Sequence, residues 1–466
     1  VDFTDLNRPA FADSVAPHMV PAALVSRAMR RAVADAGGGV PVRIALQRAD
    51  SSVSTFETRV LPEGHPGFAA CHAYVERILK FLLWQRGGGH VIYGGPASIG
   101  QHLQRTYQPG GVRAFDAEFM GGVFERAFSI TVTTPEAVPD SSETSSPLGR
   151  HMEGCRVGFD LGASDRKASA VIDGQVVFSD ETPWDPRHQS DPKYHYDGVM
   201  DSIRKAAAHL PRLDAVGGSA AGVYIANRAR VASLFRGVSK EDFDRSIADM
   251  FLRIGRELGV PIEVVNDGEV TALAGSMSLE DNPVLGIAMG SSQAGGYVDR
   301  QGHITGWLNE LAFAPVDYHP SAPVDEWSGD SGCGVQYFSQ VGAIRVAESL
   351  GMQFEAGQPL PERLESLQAA MAAGDLTAPE VYRHIGTYLG YAVAHYADFY
   401  DLKHLLILGR VTTGAGGDLL IDSANQLLGS QFPHLAEKIR LALPDEKARR
   451  VGQSIAAASL PAISAE

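Results

Sequence analysis

The chain of 466 residues is longer than one hydrophobic core ordinarily serves, so two or three domains are expected. Forty Lys and Arg against fifty-five Asp and Glu leave a formal charge of -15, which repels phosphate backbones and argues against a nucleic-acid partner. No apolar run approaches the roughly 18 residues of a membrane-spanning helix, nothing at the start reads as a signal peptide, and Cys71, Cys155 and Cys333 are too few and too scattered for a disulfide framework or a thiolate metal cage. The expectation is a soluble protein of the reducing cytoplasm, without membrane association.

In chain order, VPVRIAL (Val40 to Leu46) alternates apolar and polar residues as a half-buried strand does, SVSTFETRVL reads as its partner, and AYVERILKFLLW (Ala73 to Trp84) has helical apolar spacing. HVIYGGP and FSITVTT are further strands, so the front of the chain is α/β. The stretch from Thr133 to Arg150 is rich in Ser, Thr, Pro and Glu, lacks apolar periodicity, and reads as a linker or mobile loop. Beyond it, CRVGFDLGAS is a strand and a glycine turn, AVIDGQVVFSD a strand pair around Asp173-Gly174, and DGVMDSIRKAAAHL an amphipathic helix. DRSIADMFLRIGRELGV is expected as one helix with a glycine exit, PIEVVND as a short buried strand, and EVTALAGSM as a helix directly after it. VLGIAMGSS, GGYVDRQGHI and HLLILGRV supply the remaining strands.

Three strand-to-glycine turns carry the chemistry: VGFDLGASDRK at 157–167, GIAMGSSQAGG at 286–296 and LLILGRVTTGAGG at 405–417. Glycine lets backbone N–H groups approach a phosphate closely, and successive N–H groups form an anion-binding nest. One such turn is weak evidence, because glycine turns end most buried strands. Three of them, with Asp160 in the first, point to a nucleotide.

From Cys155 onward the sequence resembles the ROK family of bacterial sugar kinases and repressors, within the sugar kinase/actin-type ATPase superfamily, over about residues 154–460. Asp160-Leu161-Gly162-Ala163-Ser164 matches the first phosphate motif, with Ala163 and Ser164 as mild departures; Gly290-Ser291-Ser292 with Gly295-Gly296 matches the second; and Gly409 with Thr413-Gly414-Ala415-Gly416-Gly417 matches the adenosine motif. The closing helix RRVGQSIAAAS is also similar. The resemblance implies ATP as donor, with Gly162, Ser164, Gly290, Ser291, Ser292, Gly295, Gly409, Gly414 and Gly416 at the nucleotide and Asp160 facing Mg2+ bound to its phosphates. VVNDGEVTALAGS matches the family's central Asn-Asp, which makes Asp267 the catalytic base beside Asn266. A carboxylate there can accept the proton of a hydroxyl as its oxygen bonds to phosphorus. From the residues alone, Asp267 could instead cap the helix that follows, Asp160 could be satisfied by turn amides, and Arg166 and Lys167 could reach phosphate or lie on the surface. Glu310, in GWLNELAF, aligns with the family's sugar-contacting glutamate, and GGSAAGVY places Ser219 near the pocket.

Departures from the family are as informative. Phe313 stands where the family has a histidine, and the cysteine-rich metal segment is reduced to SGDSGCGVQYFSQ with Cys333 alone, so no zinc is expected. An apolar ring at 313 would offer the acceptor a flat face and make glucose a poor substrate. VSRAMRRAVADAGGG lacks the second helix of a DNA-reading segment, which argues against a repressor. The expectation is a two-lobed actin-like ATPase (RNase H-like) fold with an additional N-terminal α/β domain: residues 1–133, a linker at 134–153, a small lobe at 154–283 completed by the helix at 446–460, and a large lobe at 284–445. Its function would be ATP-dependent phosphorylation of a hydroxyl on a small sugar, modified sugar or cyclitol, by a homodimer. The alternative is a catalytically silent ROK-like ligand-sensing regulator or scaffold.

Overall fold

A computed structural model describes residues 19–143, 148–444 and 446–463, with side chains of the last helix described from 452 onward. The front of the chain runs α1 (Ala22–Asp35), β1 (Val40–Gln47), β2 (Val53–Val60), α2 (Ala69–Gln85), β3 (His90–Gly94), α3 (Ala97–Tyr107), α4 (Ala114–Val123) and β4 (Ser129–Thr133). The sheet order is β2-β1-β3-β4, with β1 antiparallel to both neighbours and β3 parallel to β4. Helix α2 is buried on nearly every side, including Lys80 and Gln85, as befits an element inside the molecule rather than on its rim. The segment after β4 lies against this sheet: Arg43 donates to the Val138 carbonyl at 2.8 Å and Ser142 pairs with Val53. Residues 144–147 of the expected linker lie outside the described residues.

Next come β5 (Cys155–Leu161), β6 (Asp165–Ile172), β7 (Gln175–Pro183), α5 (Pro192–Ala207), β8 (Ala215–Ala220), β9 (Val223–Ile225), β10 (Arg228–Val231), α6 (Lys240–Asp242), α7 (Met250–Leu258), β11 (Ile262–Asn266) and α8 (Asp267–Leu279). The strands order as β11-β8-β5-β6-β7, with β5, β8 and β11 parallel and β9–β10 a separate hairpin. The helix expected from Asp244 onward is broken. Residues 243–247 form a π-turn in which the Ala248 N–H reaches the Phe243 carbonyl at 2.9 Å, and α7 starts afresh at Met250. The widened turn puts Ile247 in the core and leaves Asp244 and Arg245 outside.

The rest is β12 (Val284–Met289), β13 (Gln293–Val298), a long loop, α9 (Gln340–Ser349), α10 (Leu360–Ala372), α11 (Ala378–Tyr396), β14 (His404–Leu408), α12 (Ala415–Gln431), α13 (Pro433–Ala436), β15 (Arg440–Ala442) and α14 (Glu446–Ala458). The second large sheet orders β13-β12-β14-β15, while α14 returns to pack on β5 and α8. One buried core joins Leu24, Ile44 and Trp84 at the front to Phe313, Leu389 and Ile407. A separate core, with Val157, Phe159 and Met250, fills the five-stranded layer.

Candidate active site

The parallel register Leu161↔Ala220↔Asn266 aligns the carboxyl ends of β5, β8 and β11, the edge where open α/β sheets place their ligands. Asp160 sits there half-buried, its Oδ1 accepting a hydrogen bond from the Ser219 hydroxyl at 2.6 Å. The turn beyond it is held by the Gly162 N–H on the Asp165 carbonyl at 2.9 Å and by the Trp184 indole N–H on the Gly162 carbonyl at 2.8 Å. Ser164 is exposed and donates to the Asp165 carboxylate. Arg166 is committed to Asp201, Ser202 and the Gly198 carbonyl, so it supports the lobe instead of the site; Lys167 is nearer to solvent, 3.4 Å from Asp165.

Asn266 is the residue that caps α8: its side chain accepts from the Gly268 N–H at 2.8 Å and donates to the Gly222 carbonyl at 2.7 Å. Asp267 shares the Gly268 N–H through Oδ1 at 3.0 Å, and among the described residues only backbone N–H groups donate to its carboxylate. The first turn of α8 presses against β13, and only glycine permits it. A Cβ on Gly268 would stand 2.3 Å from the Gly295 carbonyl oxygen, and one on Gly296 would stand 2.1 Å from that of Gly268. Gly295 is therefore a packing residue, buried in β13, while Gly290, Ser291 and Ser292 form the more open turn before it. That turn adjoins the third one, since a Cβ on Gly409 would lie 2.3 Å from the Met289 carbonyl oxygen. Gly414 has φ 75° with open space at its Cβ position, and it opens α12 with no side-chain cap; Gly416 is buried against the Tyr382 ring.

Glu310 comes from the long loop, and the N-terminal region sets its backbone. Its N–H donates to the Trp84 carbonyl at 2.9 Å, and that of Asn309 donates to the Gln85 carbonyl at 2.8 Å. Asn309 itself is left-handed at φ 50° and accepts from the Tyr400 hydroxyl at 2.9 Å. Lys167 acts on Asp160, but among the described residues no cation offsets the burial of Asp267 or Glu310. Burial, then the charge of Asp160, pushes Asp267 up to about 6; burial, then Asp267, pushes Glu310 up to about 7. Asp160 is raised by burial, against the opposing Ser219 hydrogen bond. Sequence reasoning missed Glu269, which is buried beside Asn309 and pushed by burial up to about 8. A glutamate inside the small-residue run EVTALAG was the available signal. Glu269 and Tyr224 line a cavity of about 490 Å³ walled also by Arg48, Phe124, Arg230 and Trp307.

Phe313 corrects an expectation. Its ring lies 4.4 Å from Trp84 and 5.5 Å from Trp327, centroid to centroid, with Phe115 and Phe119 around it. It belongs to the contact with α2 and α4 and is no acceptor face, so the case against glucose loses its premise. The neighbouring loop is likewise committed. Asp330 pairs with Arg77, Lys80 and Arg113, Asp325 holds Ser328, and the His319 Nδ1 accepts from the Ser321 N–H. Among the described residues no group of three or more His, Cys, Asp or Glu is arranged to hold a metal ion.

No family model and no curated protein matches this sequence. Solved structures do match. A glucokinase from Parabacteroides distasonis is 13% identical with a TM-score of 0.51, the match covering 66% of this chain and 98% of that one. A ROK family transcriptional regulator, a homolog of the E. coli MLC protein, is 19% identical with a TM-score of 0.50 over 66% and 78%. Two thirds of the chain thus has the two-lobed actin-like ATPase fold of ROK proteins.

Proposed function

We propose that this protein is an ATP-dependent kinase of the ROK type, acting as a homodimer on a hydroxyl of a small sugar, modified sugar or cyclitol. The observation that carries the reading is Asp267: a half-buried carboxylate that no side chain among the described residues donates to, raised to about 6, at the carboxyl edge of the sheet between Asp160 and Glu310. A base works best when its pKa lies near the operating pH. The glucokinase that shares the fold supports sugar phosphorylation. Fold alone does not decide function, which is why the argument rests on the acids.

In this reading Glu310 orients the acceptor by hydrogen bonding a second hydroxyl, and Asp267 takes the proton of the reacting one. The acceptor oxygen bonds to the γ-phosphorus, the bond from that phosphorus to the β,γ-bridging oxygen breaks, and ADP carries away the electron pair. The open turns at Gly162, Gly290 and Gly414 bind the phosphates and adenosine through backbone N–H groups. Asp160 fits Mg2+ in its donor chemistry: one carboxylate, held on one oxygen by Ser219, is what a cation otherwise ligated by phosphates and water requires. Bound there, Mg2+ neutralises charge on the phosphates.

The regulator of the same fold favours a second reading, a ligand sensor without turnover. ADP release measured across glucose, N-acetylmannosamine and myo-inositol separates the two. Acceptor-dependent ADP formation is expected, and ligand binding without any ADP would leave the sensor.

A further inference from the structure

Between α2, α4 and the loop after Glu310 lies a buried cluster of charged groups. Asp330 receives Arg77 at 2.8 Å, Lys80 at 3.3 Å and Arg113 at 2.6 Å, while Lys80 also meets Asp116 at 2.8 Å and Arg113 meets Glu76 at 2.6 Å. Three cations face three carboxylates, and Lys80 and Asp116 are fully enclosed. Burial acts to raise Asp330, but Arg77, Lys80 and Arg113 outweigh it and hold that carboxyl far below the usual range.

Two routes lead from this cluster to Glu310. Asp116 accepts the Trp84 indole N–H at 2.8 Å, and the Trp84 carbonyl accepts the Glu310 N–H at 2.9 Å. On the other side, the strand of chain just after Asp330 is laced to the strand just after Glu310. The Gly334 N–H reaches the Ala314 carbonyl and the Val316 N–H reaches the Gly332 carbonyl, both at 2.9 Å, and Cys333 bridges Pro315. Residues 309–316 are therefore gripped from both sides by one ionic centre. These contacts do not reach the turns at Gly162 or Gly414, while the chain beyond Asp330 meets the second turn at one point, the Gln340 N–H on the Gly290 carbonyl at 2.8 Å.

We propose that the Arg77–Lys80–Arg113–Asp330 cluster is a positioning device that sets Glu310 for the acceptor, so that the N-terminal region governs acceptor binding far more than nucleotide binding. This rests on the acceptor role given to Glu310 above. Arg77, Lys80, Arg113 and Asp330 are positioning residues, acting through the backbone of Asn309 and Glu310 and not on the reacting atoms.

The test uses the full chain carrying Asp330→Asn, Lys80→Met as a second change that leaves two guanidiniums on Asp330 but takes the nearest cation from Asp116, and Asp330→Glu as the conservative variant. Hydrogen exchange is followed over peptides spanning 306–314 and, as the internal control, 157–165, the strand and turn that carry Asp160. Both neutralising variants are expected to speed exchange over 306–314 by about tenfold with the control unchanged. KM for whichever of glucose, N-acetylmannosamine and myo-inositol is turned over should rise by about tenfold, KM for ATP should stay within about twofold, and Asp330→Glu should recover part of the loss. Unchanged exchange over 306–314 in either folded variant overturns the proposal, as does a parallel rise in both KM values. A wild type that forms no ADP with any of the three sugars removes the kinase reading instead, and the exchange result still decides whether the cluster positions Glu310.

Discussion

Asp267 and Asp330 are the same side chain in two kinds of confinement. Around Asp267 the nearby ionisable groups are Asp160, Glu310 and Tyr224, none of them a cation, and each of the three carboxyls is driven upward toward neutrality. Around Asp330 stand Arg77, Lys80 and Arg113, and the carboxyl is driven the opposite way. Burial penalises the charge in both places, so the sign of the neighbours separates a group that can exchange a proton near pH 7 from one that cannot. A reactive acid and a structural acid are thus built from equal parts and unequal company.

The sharpest way to break this contrast is to remove each carboxylate in turn. Asp267→Asn should lower kcat by about 10² or more with both KM values little changed, because it keeps size and hydrogen bonding but removes the base; steady-state kinetics with saturating ATP measures it. Near-normal turnover would place Asp267 beside Asn266 as part of the helix start only. Asp330→Ala should instead cost about 3–5 kcal/mol of stability, since it strands buried guanidiniums without their anion. Urea titration of the two variants side by side reads the difference, and equal stability losses would erase it.

Acid sharpens the comparison further. With Asp267 at about 6, only its ionised form can accept the proton, so kcat/KM should fall about tenfold per pH unit below pH 6 and level off above it. A profile flat down to pH 5 would mean that another group is the base. The smallest effect is expected at Glu269, raised from 4.5 to about 8. Its folded pKa lies above the unfolded one, so its contribution is fully present below pH 4.5 and is lost as pH rises through about 8. Glu269→Gln should therefore raise Tm by about 2 °C at pH 8.5 and leave it unchanged at pH 4.5, as thermal scans at the two values would show.

How much of this was legible depended on how far along the chain the explanation lay. The turn at Asp173-Gly174 and the strands on either side of it are local, and the residues that make them stand together. The parallel edge that carries Asp160, Ser219 and Asn266 could be anticipated because each strand ends in its own glycine or small-residue signal. Phe313 could not be read in the same way. Its partners Trp84, Phe115 and Phe119 come from a region more than 190 residues earlier, and seen alone an apolar ring near Glu310 looks like a pocket wall. The role of Gly295 was misplaced for a related reason: a glycine that meets phosphate and one that meets the backbone of α8 have the same letter, and the close approach of Gly268 is visible only in three dimensions.

The continuity of the front core with that around Phe313, Leu389 and Ile407 has a consequence for how the molecule comes apart. Units that share a core melt together, whereas the five-stranded layer keeps a core of its own around Phe159 and Met250. Heating should accordingly produce two calorimetric events, one for the part of the five-stranded layer around Phe159 and Met250 and one larger event in which the front of the chain and the Glu310 loop are lost as a single cooperative body. Acceptor recognition would then disappear at the temperature where α2 unfolds, whatever the state of the sheet that carries Asp160.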